Sequence, residues 1–552
     1  MESLTSARTQ SWLSWFLRGL LIFGLLILLA RLVDLQVVSG KYYRELANEN
    51  RVRRITIPAA RGKILARGGE ILVGNREVKK RLVFDPKEGY SLEGVSNDSN
   101  SMGIVVEWLR NYPLGEAFAH VGGYVGEVSQ DEVGKVKARC ADKGPRTLGS
   151  LIGRTGLEEQ YDCILTGVDG EELVEVDAMG RLVRILGVKE PIAGQDLKTN
   201  IDFGLQKKVA TLLYGKKGVI IVTDSENEVL ALFSSPSYDP NAFVNKSDAQ
   251  KITRILTDID QPLFNRAISG TFHPGSVFKP FVAVAALEDQ VIDENYTYDD
   301  PGVITVNNFS YSNWYFTQYG GKEGKINLER AIARSTDTFF YKIGELIGVE
   351  SLDKWAHIFG LDEKTNVDLP GEIAGLIPSP EWKLRVKGER WFLGNTYHMS
   401  IGQGDVAITP IEENTAISAI ASGGNLCEPR LFGNGNCTKL PIADNTIGEV
   451  KNGMIGACSF GGTGFTFFDF ADTSPDHTQV ACKTGTAETT KDTNAHAWFV
   501  SFAPVETPEI ISTVLVEQGG EGSKIAGPIA REIFNYWFKV PSVTPTPTPA
   551  ND

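Results

Sequence analysis

An uncharged apolar run, GLLIFGLLILLA at residues 19–30, sets the first constraint on this chain. Twelve residues alone suit the core of a signal peptide. Counted from Trp12 to Val33 the segment reaches the ~20 residues a membrane span needs. Arg18 then snorkels to the interface, where Trp12 and Trp15 also belong. No small-x-small cleavage site comes after it, so the expectation is an uncleaved transmembrane anchor at 12–33 behind a short tail at 1–11. Charge leaves the orientation open, because Arg31, Lys41, Arg44 and Arg51 lie on the far side too.

The chain beyond the anchor is too long for one domain. The 552 residues, 42% hydrophobic and 22% charged, can fill two or three compact units. A formal net charge of −14 argues against nucleic acid as a main partner, since phosphate binding needs a basic face. Six cysteines in so long a chain do not read as a disulfide framework. Cys140, Cys163, Cys458 and Cys482 stand apart, without CxxC or Cys/His ligand spacing. Cys427 and Cys437 flank a Gly/Asn-rich turn and either bridge in an oxidising compartment or remain two thiols.

A helix-like stretch (GKYYRELANENRVRR) leads into a glycine-punctuated, short-strand region that ends near Asp202. The texture then changes. KGVIIVTDSENEVLALFSS reads as a hairpin around the polar turn 224–227. Helical patterns fill the middle, including VFKPFVAVAALEDQ and LERAIARSTDTFFYKIGELI. Strands return as TQVACKTGTAE, HAWFVSFAP and EIISTVLVEQ, before an amphipathic helix (GPIAREIFNYWF) and a Pro/Thr tail. Strands at both ends around helices imply an α+β domain, one antiparallel sheet between helical layers.

Three elements carry chemistry. Ser276 and Lys279 are three apart and share a helix face. Pro280, tolerated only in a first turn, puts Ser276 at or just before the helix start, where developing negative charge is favoured. A partly desolvated lysine beside a serine can serve as its base. The spacing alone is weak, because Ser351 and Lys354 repeat it on what reads as a solvated helix face. Ser335 and Asp337 precede an aromatic cluster and, taken alone, read as a helix cap. Lys483, Thr484, Gly485 and Thr486 continue an apolar strand, and the glycine would let a ligand approach closely. Alone, they are a strand end running into a turn.

Together and in this order, Ser-x-x-Lys, Ser-x-(Asn/Asp) and Lys-Thr-Gly form the acyl-serine signature of penicillin-binding proteins and class A β-lactamases. The chain resembles the class B penicillin-binding proteins over nearly its whole length. NRAISGTFHPGSVFKP, IGQGDVAITP and KTGTAE look like the family's transpeptidase blocks. RLVDLQVVSGKYY, PAARGKILARGGEIL and IGRTGLEEQYDCILTGVDG resemble its anchor and non-catalytic pedestal. Aspartate at 337 is similar to the elongation-type branch, the penicillin-binding protein 2 group. The chain departs from the family in a short stretch between Gly74 and Arg110, and in Arg67-Gly68-Gly69 where Asp-Arg-Asn-Gly is more common.

The resemblance implies a β-rich, dimerisation-type pedestal at 40–205, a transpeptidase domain at 206–540 and a disordered tail at 541–552. It implies a peptidoglycan D,D-transpeptidase of cell elongation and shape, held in the plasma membrane by one span with its catalytic domain outside. Ser276 would be the nucleophile and Lys279 its base. Ser335 would relay a proton to the leaving D-alanine, and Asp337 would orient Lys279 or hold the substrate amide. Lys483, Thr484 and Thr486 would bind the terminal carboxylate beside Gly485. The N–H groups of Ser276 and Thr486 would form the oxyanion hole. The implied partners are stem peptides ending in D-Ala-D-Ala, β-lactams, a membrane glycan polymerase and other wall-elongation proteins. No cofactor or metal is implied, and the six histidines lack HxH or HExxH spacing. His273, His398 and His496 read as structural. Two rivals share the motifs: a β-lactamase or β-lactam sensor, and an inactive scaffold.

Overall fold

The computed structural model describes residues 6–85, 89–94, 104–133, 135, 138–143, 148–177, 182–244, 248–489 and 494–541. The first five residues and the Pro/Thr tail from 542 lie outside them. The described chain forms two compact units. One comprises Met1–Ala60, Glu77–Leu109 and Gly167–Ala193; the other comprises Arg61–Arg76, Arg110–Thr166 and Gly194–Asp552.

In the first unit a helix runs through Ser6–Val33, and the stretch Trp12–Val38 is long and apolar enough to cross a membrane. The helix-like stretch is a helix at Gly40–Arg51, and the strand Val52–Ile57 comes directly after it. That strand pairs antiparallel with Gly170–Val176, which pairs in turn with Leu182–Lys189.

The second unit gathers sequence-distant pieces. Arg61 and Arg110 both meet the Glu158 carboxylate at 2.6 Å, and Arg61 also reaches Asp162 at 2.9 Å. All four side chains are buried, so removing one partner would strand a charge in low dielectric. These residues come from the PAARGK, WLRN and IGRTGLEEQYD segments, and the charge cluster ties them together.

The main sheet has five strands: β1 (Gly218–Thr223), β2 (Val229–Ser235), β3 (Ala481–Ala487), β4 (His496–Ala503) and β5 (Ile510–Val516), in the order β2-β1-β5-β4-β3. Every pairing is antiparallel. The expected hairpin is β1–β2, its turn closed by Asn227 at φ +61°. Successive residues point to opposite faces: Val219, Ile221, Trp498 and Leu515 join one core, and Ile220, Val222, Phe499 and Val514 join another. Both faces are therefore covered, which is why these strands read as unbroken apolar runs.

The site is carried on one helical layer. Its helices are α1 (Lys279–Glu288), α2 (Leu328–Arg334), α3 (Asp337–Ile347), α4 (Pro410–Ala421) and α5 (Asp444–Cys458). On the opposite face lie Phe203–Leu212 and α6 (Gly522–Trp537), whose apolar stripe includes Ala526, Ile529, Ala530 and Ile533.

The cysteines overturn an expectation. All six pair, as Cys140–Cys163, Cys427–Cys437 and Cys458–Cys482. The Cys427–Cys437 bridge closes the short turn the sequence pointed to. The other two join residues 23 and 24 positions apart that only the fold brings together, so no local spacing marks them.

Candidate active site

Gly275 takes φ +59°, a left-handed conformation open to glycine at little cost. A Cβ there would stand 3.0 Å from the Thr486 carbonyl oxygen, so the glycine lets the turn press against β3. Ser276 comes next, in a 3-10 turn (Gly275–Phe278) that runs into α1 with Pro280 in its first turn. The serine sits where the sequence expected it, at the positive end of a helix.

Lys279 has no exposed surface. Its amine donates to the Ser335 carbonyl (2.8 Å), to Ser335 Oγ (3.2 Å) and to Asp337 Oδ1 (2.6 Å). Among the described residues, Ser276 is not one of its partners. Burial lowers the pKa of this amine, while the Asp337 charge opposes the shift. Lys483, equally buried, donates to the same Ser335 Oγ at 2.8 Å and to the Thr484 carbonyl at 2.9 Å. Burial pushes its pKa well down; the nearby Lys279 charge pushes it further, and Asp337 only partly restores it.

Ser335 therefore receives both amines on one oxygen, and its own proton is free to be given elsewhere. It holds φ +55° and ψ +40° as it breaks the helical pattern between α2 and α3. That conformation costs a residue with a Cβ roughly 1–3 kcal/mol, and such strain clusters at working sites. Asp337 opens α3, where its carboxylate meets the helix dipole favourably.

Sequence reasoning missed what holds Asp337. Its Oδ2 accepts the Trp314 N–H at 3.0 Å, and its own N–H donates to Asn313 Oδ1 at 3.3 Å. Asn313 is oriented by donating to buried Asp300 (3.2 Å), which also accepts from Thr338 Oγ1 (2.6 Å) and the N–H groups of Gly302 and Glu323. The sequence Asp-Asp-Pro-Gly at 299–302 was the available signal, but such a run ordinarily means only a turn.

Lys483 and Gly485 are not part of the cleft's lining, and the Lys483 amine meets the cleft through the Ser335 hydroxyl. A Cβ on Gly485 would stand 2.9 Å from Trp498 Cβ and 3.0 Å from Val277 Cγ1, so this glycine serves strand packing against the Ser276 turn. Thr484 and Thr486 do line the cleft, which measures about 1000 Å³ and includes Ser276, Ser335 and Asp337. The glycine-rich loop near residue 463 forms part of its wall, and Thr463 Oγ1 meets Thr484 Oγ1 at 2.8 Å. His273 bonds the Val406 carbonyl, and His496 accepts the Gln518 N–H. His398 lines the cleft, its pKa lowered by burial.

Residues 218–535 match the penicillin binding protein transpeptidase domain, more than half of the chain. The chain belongs to that family. Residues 85–199 match the penicillin-binding protein dimerisation domain. The chain is 31% identical to the peptidoglycan D,D-transpeptidase MrdA of Acinetobacter baumannii, over 97% of this chain and 89% of that one. With MrdA of Escherichia coli K12 it shares 30% identity, over 94% and 93% respectively. The solved complex of penicillin-binding protein 2 with MreC from Helicobacter pylori superposes with a TM-score of 0.74 at 28% identity, covering 88% of this chain and 99% of that one. Pseudomonas aeruginosa penicillin-binding protein 2 in complex with WCK 5153 gives 0.72 at 30%, covering 90% and 100%.

Proposed function

We propose that this chain is a peptidoglycan D,D-transpeptidase of bacterial cell elongation, cross-linking stem peptides through an acyl ester on Ser276. One observation carries the reading: two buried lysines converge on the Ser335 hydroxyl in the cleft that holds Ser276. The relatives named as D,D-transpeptidases support it.

The donor's terminal carboxylate docks on Thr484 and Thr486, with the Lys483 charge behind them. That anion keeps the proton on Lys483, and a charged Lys483 disfavours a second proton on Lys279. Lys279 then takes the Ser276 proton as Oγ attacks the D-Ala–D-Ala carbonyl. The N–H groups of Ser276 and Thr486 stabilise the oxyanion. Ser335 gives its proton to the leaving D-alanine nitrogen and recovers it through the lysine pair. An acceptor amine later attacks the ester by the reverse path. Asp337, fixed by Asn313 and Trp314, orients Lys279 and sets how tightly it holds its proton. A β-lactam acylates the same serine, but its leaving group stays tethered and blocks the acceptor.

The anchor spans 12–33, the pedestal 40–205 and the transpeptidase domain 206–540, with a tail at 541–552. The catalytic domain lies outside the plasma membrane, and three disulfides support that side, since such bridges persist in oxidising compartments. Its partners are a membrane glycan polymerase and other wall-elongation proteins, in keeping with a similar structure described as a peptidoglycan synthase complex coordinating polymerization and crosslinking.

Purified protein given a D-Ala-D-Ala peptide should release D-alanine and make cross-linked product. Its penicillin adduct should persist for many minutes. Nitrocefin turnover at tens per second would make it a β-lactamase, and a folded protein taking up no penicillin would be a scaffold.

A further inference from the structure

The charges lining the cleft nearly all have partners. Arg334 meets Glu323 at 2.7 Å, Asp337 meets Lys279 at 2.6 Å, and Lys524 meets Glu521 at 2.5 Å. Among the described residues, Glu488 is the cleft-lining charge without an ion pair. It lies two positions past Thr486, just beyond the end of β3, and is exposed. At ~3.4 Å per residue of extended chain, its backbone stands about 7 Å from that of Thr486. A carboxylate there repels an anion bound at Thr484 and Thr486, so for donor binding alone it is misplaced. Its charge acts on Tyr341 and on His398, both of which line this cleft. Tyr341 and Tyr311 line the same cleft, their rings 5.8 Å apart. A carboxylate and aromatic rings lining one cleft both attract an ammonium ion.

Resting on the transpeptidase reading, we propose that Glu488 is a specificity-determining residue that receives the ammonium of the acceptor stem peptide. The reaction brings that cation by necessity, because its nucleophile is an amine that arrives protonated from neutral water. The ammonium first loses one proton to solvent. The neutral nitrogen then attacks the acyl carbonyl, a C–N bond forms and the bond to Ser276 Oγ breaks. The second proton passes from nitrogen through Ser335 and Lys279 to Oγ, which restores the serine.

The test uses the full chain in detergent micelles. The donor is a D-Ala-D-Ala pentapeptide with its own amines acetylated, and the acceptor is a tripeptide whose third residue carries a free side-chain amine. Cross-linked and hydrolysed products are counted by mass spectrometry against acceptor concentration. Glu488→Gln should raise the acceptor KM by about tenfold, a loss of ~1.4 kcal/mol, with a much smaller change in kcat. Glu488→Asp should fall between. Raising the salt from ~50 to ~500 mM should raise the wild-type KM and leave that of Glu488→Gln nearly unmoved, because screening weakens an exposed charge pair. An unchanged acceptor KM, or the same salt response in both proteins, overturns the assignment. So does a fall in hydrolysis with KM unaltered, which would make Glu488 a base for water. Wild-type protein that never releases D-alanine would instead defeat the transpeptidase reading itself.

Discussion

Two segments of this chain share the spacing Ser-x-x-Lys, and their surroundings give them opposite characters. Ser276 and Lys279 open α1. Ser351 and Lys354 lie on the helix Val349–Ile358, beside the residue that caps the far end of α1. The Lys279 amine is fully buried, bonded to Ser335 and Asp337, and depressed by desolvation. The Lys354 side chain is 58% exposed and 3.6 Å from the Asp289 carboxylate. Ser351 donates its hydroxyl to that same carboxylate. One lysine is buried and made ready to lose a proton, and the other side chain reaches into solvent. Motif spacing puts two side chains on one face; desolvation and neighbouring charge decide what they can do.

The largest difference should appear when each lysine is removed. Lys279→Ala should slow acylation by fluorescent penicillin on the order of 10²–10⁴-fold, the usual worth of a positioned base. Lys354→Ala should leave that rate within about twofold and stability within ~0.5 kcal/mol, as for other exposed pairs. Equal rates in both variants would erase the distinction.

Asp337 sharpens it. Asp337→Asn should keep substantial acylation, whereas Asp337→Leu should lose most of it by leaving the Trp314 N–H without its acceptor and Lys279 without its carboxylate. The carboxylate favours the protonated amine, so its neutralisation lowers the Lys279 pKa. The rise of acylation rate with pH should therefore move to lower pH in Asp337→Asn. A move to higher pH would mean the carboxylate is not the charge that holds the proton.

A smaller effect concerns a buried group that nothing pairs. Glu413 on α4 is fully buried, and among the described residues neither carboxyl oxygen has a hydrogen-bond partner. Burial pushes its pKa well above the ordinary 4.5, and the Glu412 charge adds to the shift. The folded state keeps this proton while the unfolded chain releases it. Its contribution to stability is complete below about pH 4.5 and declines as pH rises above that value. Glu413→Met should raise stability at neutral pH by about 1–3 kcal/mol and flatten the decline of Tm with pH. An unchanged slope would show that Glu413 finds a partner in solution.

These contrasts mark what the sequence could convey. The β1–β2 hairpin, the helix begun at Pro280 and the late strands were legible because periodicity and a proline's missing N–H are local facts. So were the three motifs, through their order along the chain. The Cys458–Cys482 and Cys140–Cys163 bridges were not, because their partners meet only in three dimensions. The Asp300–Asn313 support of Asp337 was hidden for the same reason. Gly485 was read as room for a ligand, yet it makes room for Trp498 and Val277. The joining of residues 61–76 to 110–166 rests on buried ion pairs among arginines and acids that look solvated in a linear reading.

Peptide mapping of the penicillin adduct tests most directly whether surroundings rather than spacing assign the chemistry. The full chain is incubated with penicillin, quenched, digested and read by mass spectrometry. All of the added mass should fall on the peptide containing Ser276. It should vanish in Ser276→Ala and persist unchanged in Ser351→Ala. Adduct on the Ser351 peptide, or adduct that survives Ser276→Ala, would contradict the account.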